Sequence, residues 1–158
     1  MRTARSVGED DPRGFFAYLE TEAQWACFTI HDMRAKASKR VEGSYPEPQR
    51  SEMLAQYREM AAAPDGSYVF ALLYRERGWA KRLRRDLSGV VKVDIEGDRA
   101  SVVTAQGTRY PFRRRENGIW GLTIFTAELL ADAEKATRDL AVVSAAADDY
   151  DRARGNKK

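Results

Sequence analysis

Residues 90–125, VVKVDIEGDRASVVTAQGTRYPFRRRENGIWGLTIF, read as a β-meander. Val91, Val93 and Ile95 fall on one side of an extended chain and Lys92, Asp94 and Glu96 on the other, the alternation of a half-buried strand. Ala100, Val102 and Thr104 repeat the pattern more weakly, and Tyr110, Phe112, Trp120, Leu122 and Ile124 supply large apolar residues for two further strands. Gly97-Asp98, Gln106-Gly107 and Asn117-Gly118 mark the turns. The last predicts a tight hairpin, because Asn-Gly tolerates the positive φ angles of the primed turns. Pro111 has no amide to donate, which predicts a sheet edge or a bulge at that position.

Upstream the period changes. Residues 1–13 are charged and contain Gly and Pro, and are expected to form a flexible lead-in. From about Gly14, Phe16, Leu19, Ala23, Cys27, Ile30 and Ala37 recur at helical spacing, with Trp25 and Phe28 widening the apolar arc into that of a central helix. Gly43, Pro46 and Pro48 interrupt before a second helix over QRSEMLAQYREMAA, which Pro64-Asp65-Gly66 ends. Residues 67–74 suit a buried strand or a helix capped by Ser67, and Ala-Leu-Leu followed by Glu-Arg favours the helix. A further amphipathic piece with Trp79, Leu83 and Leu87 follows Gly78. Residues 126–154 form the clearest helix, Leu129, Ala133, Ala136, Leu140, Val143, Ala147 and Tyr150 holding four- and three-residue steps, and 155–158 close as a frayed tail. A rod of roughly 40 Å exceeds what a small sheet can cover.

Helices followed by an antiparallel meander place the chain in the α+β class: N-terminal helices packed on a curved antiparallel sheet, plus the long C-terminal helix. That order, with FFAYLETEAQWACFTI, GDRASVV and YPFRRRENGIWGL as the carrying segments, resembles the nuclear-transport-factor-2-like superfamily. This is the cystatin-like cone that also contains ketosteroid isomerases and polyketide cyclases, and the sheet segment is similar to that of uncharacterised bacterial members, often exported lipoproteins. The resemblance covers residues 14–125 and implies a cone-shaped domain with a pocket between sheet and first helix. The long C-terminal helix and the lack of a clear strand between the early helices depart from that pattern, and either would plug or remodel the mouth of the cone.

Composition narrows the functional classes. Of 158 residues, 27 are basic and 24 acidic, and a net charge of +3 does not by itself call for a nucleic-acid partner. The single cysteine, Cys27, excludes an internal disulfide and, among apolar neighbours, reads as a small buried hydrophobe. No stretch approaches the ~20 apolar residues of a membrane span, and the polar start holds no secretory signal, which predicts a cytoplasmic chain. An export signal replaced by a new methionine would leave the same start on a periplasmic protein or lipoprotein.

One histidine excludes multi-histidine metal sites, no cofactor motif is present, and neither metal nor cofactor is expected. If the chain is an isomerase- or cyclase-like enzyme, Asp32 and His31 are the catalytic candidates, with Tyr110 or Tyr18 as the donor that holds a developing oxyanion. Asp32 and His31 read equally as polar residues at a helix end. Pocket candidates are Tyr18, Trp25, Asp32, Tyr110, Arg114 and Trp120, with Arg114 sharing the strand face of Tyr110 and Phe112 and there binding an anion or pairing with a carboxylate. The run Arg75, Arg77, Lys81, Arg82, Arg84 and Arg85 offers nucleic acid a basic face, or is a solvated helix. The C-terminal helix, acidic and with a narrow Ala-rich seam, packs on the chain's own first helix or contacts a protein partner or second copy through Leu140, Val143, Ala147 and Tyr150. The reading favoured is a non-catalytic binding or assembly module using that helix. A small-molecule carrier or enzyme, and a nucleic-acid-associated protein, are the alternatives.

Overall fold

The computed structural model describes residues 11–84, 86 and 88–156, without the side chain of Arg84. Residues 1–10 of the lead-in, 157–158 of the tail, and Arg85 and Leu87 of the basic stretch lie outside the described residues. Among the described residues, six helices and four strands follow one another as α1 (Pro12–Phe16), α2 (Thr21–Ser44), α3 (Gln49–Ala62), α4 (Gly66–Glu76), α5 (Ala80–Arg84), β1 (Val90–Glu96), β2 (Arg99–Thr104), β3 (Arg109–Arg114), β4 (Trp120–Leu122) and α6 (Thr126–Gly155). The chain is α+β, as its sequence order predicts.

The first predicted helix is two. Asp11 accepts the Arg13 amide at 3.1 Å and Pro12 occupies the first turn, so α1 starts inside the expected lead-in. It then stops because the backbone of Tyr18–Glu20 turns to the sheet: the Leu122 amide donates to the Tyr18 carbonyl at 2.8 Å and Glu20 donates to the Leu122 carbonyl at 3.1 Å. The close approach depends on Gly121, where a Cβ would stand 2.5 Å from the Glu20 Cα. α2 then runs through Gly43 to Ser44, well past Ala37.

α2 is the axis of the helical layer, with α3, α4 and α6 packed along it. One core gathers Phe15, Phe70, Tyr74, Trp79 and Phe125 with Leu19, Cys27 and Leu129, and Trp79 stacks on Phe125 at 4.4 Å between ring centroids. A second holds Ala37, Val41, Tyr45 and Tyr57 against Val143 and Ala147. Residues 67–74 are helical: α4 begins at Gly66 with Asp65 as cap, its carboxylate accepting the Ser67 amide at 2.8 Å. Ser67, the expected cap, instead donates its hydroxyl to Asp65 at 2.6 Å.

The sheet is a meander of order β1-β2-β3-β4, antiparallel throughout. Pro111 lies in β3, whose pairing to β4 begins only at Phe112, and its carbonyl accepts the Thr123 amide at 3.0 Å on that side. The missing N–H therefore faces the very end of the β4 pairing, where only the bond reciprocal to that of Thr123 is absent. The Asn117-Gly118 hairpin is looser than a two-residue turn: Arg115 donates to the Ile119 carbonyl at 2.8 Å across three residues, with Gly118 at φ 80°.

The sheet meets the helices at one end. Leu122 and Phe125 are buried in the main core and Tyr110, Phe112 and Ile124 pack against it. β1 lies beyond that contact, leaving Val91 65%, Val93 53% and Ile95 61% exposed. The expectation that β1 is half-buried is corrected here. Its alternation is genuine, but the helical layer does not extend beneath it.

Candidate functional site

The residues proposed for catalysis are dispersed. His31 donates from Nε2 to the Ala63 carbonyl at 2.7 Å, closing the end of α3. Asp32 points to solvent and pairs with Lys36 one turn on, at 2.7 Å. The Tyr110 hydroxyl reaches the Leu83 and Asp86 carbonyls at 3.4 Å, pinning β3 to the end of α5. Three groups with three separate structural partners do not form an acid–base arrangement.

The pocket candidates are likewise separated. Tyr18 is half-buried beside β4, while Trp25 is 67% exposed and stands edge-on to Phe28. Arg114 lies over the Trp120 ring at 5.7 Å, a cation–π contact in place of the expected carboxylate. The carboxylate partners belong to Arg113, which lies 3.5 Å from both Glu22 and Asp98. Trp25, Arg114 and Arg115 do line one depression of about 540 Å³ between the start of α2 and the β3–β4 hairpin. Arg115 there donates to the Ala17 carbonyl at 2.7 Å and to that of Leu19, and burial lowers its pKa.

The basic and acidic helices find each other within the chain. Arg82 pairs with Glu128 at 2.8 Å, Arg77 with Asp132 at 2.8 Å, Arg34 with Asp139 at 2.6 Å, and Arg40 with Asp148. Near the end of α6, Arg154 donates to the Ser44 carbonyl at 3.2 Å. The seam proposed for a partner is part of this packing. Val143 and Ala147 are buried against α2, Leu140 packs at its margin, and Tyr150 stands edge-on to Tyr45 at 5.0 Å. Of the four residues read as a partner surface, Val143 and Ala147 are thus covered within the chain, and Leu140 and Tyr150 stay partly exposed. The apparent excess length of α6 disappears once α2 is seen to run to Ser44.

Asp86 is not among the site residues the sequence predicts. Its carboxylate accepts the Ser88 amide at 2.9 Å, the Ser88 hydroxyl at 2.5 Å and the Thr104 hydroxyl, which together hold its pKa well below the usual carboxylate range. The signal was the Asp-x-Ser spacing of a side-chain-bonded turn, here fastening the entry of β1 to the end of β2.

β1 itself is the remaining unusual surface. One of its long sides pairs with β2, and the other has no neighbour among the described residues. Val90, Val91, Val93 and Ile95 are all more than half exposed along it. The polar side of the sheet forms a second depression of about 840 Å³, lined by Lys92, Asp94, Glu96, Arg99, Arg109 and Arg113. Asp94 there sits 2.8 Å from Lys92 and 3.5 Å from Arg109, and its pKa is lowered, with the Lys92 hydrogen bond the main cause. An edge strand with apolar side chains is a template for adding another strand, and large exposed apolar patches mark interaction surfaces.

Comparison with protein-family models, curated proteins and solved structures finds no match to this chain. Among the described residues no cluster of three or more His, Cys, Asp or Glu could hold a metal ion, and no helix is long and apolar enough to cross a membrane.

Proposed function

We propose that the chain is a non-catalytic binding or assembly module whose partner contact is the open side of β1. The observation that carries this is the exposure of Val91, Val93 and Ile95 on a strand with one long side unpaired among the described residues. Interfaces that add a strand draw affinity from main-chain hydrogen bonds and selectivity from alternate side chains, and β1 offers both. The contact belongs there rather than on α6, whose seam is engaged with α2. Helices laid beside a four-stranded meander support a cone of the nuclear-transport-factor-2-like kind as the scaffold for such a module.

A second reading, a small-molecule carrier, draws on the depression in which Trp25 and Arg114 stand among Glu20, Glu22 and Glu116. Nucleic-acid binding through the basic helix draws less support, since Arg77 and Arg82 are already paired with α6. Native mass spectrometry of the chain purified gently from its own cell separates these readings. The expected result is a dimer, or a complex with one defined protein, that is lost in Val93→Lys. A monomer carrying a few hundred extra daltons, on the order of a drug-sized ligand, and indifferent to Val93→Lys would overturn the module in favour of the carrier.

A further inference from the structure

The usable length of β1 is set by its own irregularities. Val90 faces Thr104 and Lys92 faces Val103, so Val91 is an extra residue without a partner on β2, a bulge. At the other end the chain turns at Gly97. Between bulge and turn lie five regular residues, Lys92–Glu96. In an antiparallel ladder only alternate residues turn their N–H and C=O to a given neighbour. Counted back from the Glu96–Arg99 pair that closes the two-residue turn, Asp94 and Glu96 address β2, and Val93 and Ile95 address the open side.

We propose that the partner of β1 is the β1 strand of a second copy, paired antiparallel about a two-fold axis through Asp94. This rests on the module reading above. In that register Lys92 stands opposite Glu96 of the second copy twice over, and Val93 opposite Ile95 twice over. Every backbone group that faces the open side meets another such group. The apolar face continues across the junction as four β-branched side chains, and the polar face as two opposite-charge pairs, both stabilising classes of cross-strand pair. Asp94 meets its own copy on the axis, where the flanking Lys92 and Arg109 of each chain offset the like charges. The register shifted to Val93 would set the bulged Val91 opposite Ile95 and leave Glu96 without Lys92. The two sheets join into one of eight strands, through a contact short enough to be a weak, concentration-dependent interface.

Charge exchange reads the register directly. Sedimentation equilibrium of the full chain should show a dimer that grows with concentration and is lost in Val93→Lys. Lys92→Glu and Glu96→Lys should each be monomeric, since each sets like charges opposite one another. Mixed together they should recover the dimer as a heterodimer, and Asp94→Asn should tighten it. Circular dichroism of each variant, unchanged from the parent, separates lost pairing from lost folding. A parent chain that stays monomeric to its highest soluble concentration overturns the self-pairing. So does a dimer indifferent to Val93→Lys, or a mixture that stays monomeric. If self-pairing fails while a different protein is held on β1 in the native complex and released by Val93→Lys, the module reading stands without it; if neither occurs, both fall.

Discussion

Phe125 shows what one side chain contributes here. It is fully buried, stacks on Trp79 and lies against Phe15, Phe70 and Tyr74. Phe125→Ala should therefore cost about 3–5 kcal/mol of stability in chemical denaturation, and a loss below about 1 kcal/mol would contradict this core. Asp86 makes a pH-dependent contribution. Its carboxyl has a lower pKa folded than unfolded, so the stabilisation is fully present above the unfolded value near ~3.9 and fades as pH falls below it. Asp86→Asn should shrink the difference in denaturation midpoint between neutral and acid solution, and an unchanged difference would show the bonds from Ser88 and Thr104 to be idle. At this scale the sequence was partly legible. Cys27 is the inert buried thiol it resembles, its pKa pushed up to about 12 chiefly by burial and then by Asp132. His31 and Asp32 were adjacent in sequence and chemically suggestive, yet adjacent residues on a helix point about 100° apart, and each found its own local partner. The Phe125 cluster could not be foreseen, because its rings come from α1, α4, the segment after Gly78 and the sheet's exit.

Among the elements, α2 and α6 decide the helical half. Their small residues, Ala23, Ala26 and Ala37 on one and Ala133, Ala136 and Ala147 on the other, are all buried, and the cross-helix ion pairs run along the margins. Such pairs, mostly part-exposed, are individually worth about 0–1 kcal/mol, so the apolar seam does most of the stabilising. Truncation after Ala131 should consequently remove more helical signal than the deleted residues carry, because α2 loses its cover. A shortened chain that keeps α2 and the sheet in their native amide spectrum would contradict this packing. The seam of α6 was readable from its spacing alone, but periodicity identifies the face a helix buries and not the chain that buries it. The break between α1 and α2 was not readable. No Gly or Pro marks it, and the helix yields there to hydrogen bonds with Leu122, more than a hundred residues on.

At the scale of the whole molecule, the meander and its strand order followed from the alternation of residues 90–125, and its placement did not. Alternation says that one face of β1 is apolar. Whether that face is covered depends on how far the helices extend beneath it, and the helical layer ends near Tyr110 and Phe112. The uncovered Val93 and Ile95 are the basis for reading the chain as an assembly module, so the decisive measurement is hydrogen exchange of single β1 amides across a dilution series. The amides of Val93 and Ile95 should be protected at high concentration and exchange freely on dilution, while those of Lys92 and Asp94, turned to β2, stay protected throughout. Free exchange at Val93 and Ile95 at every concentration, with Lys92 and Asp94 still protected, would show that no second copy adds a strand to this edge.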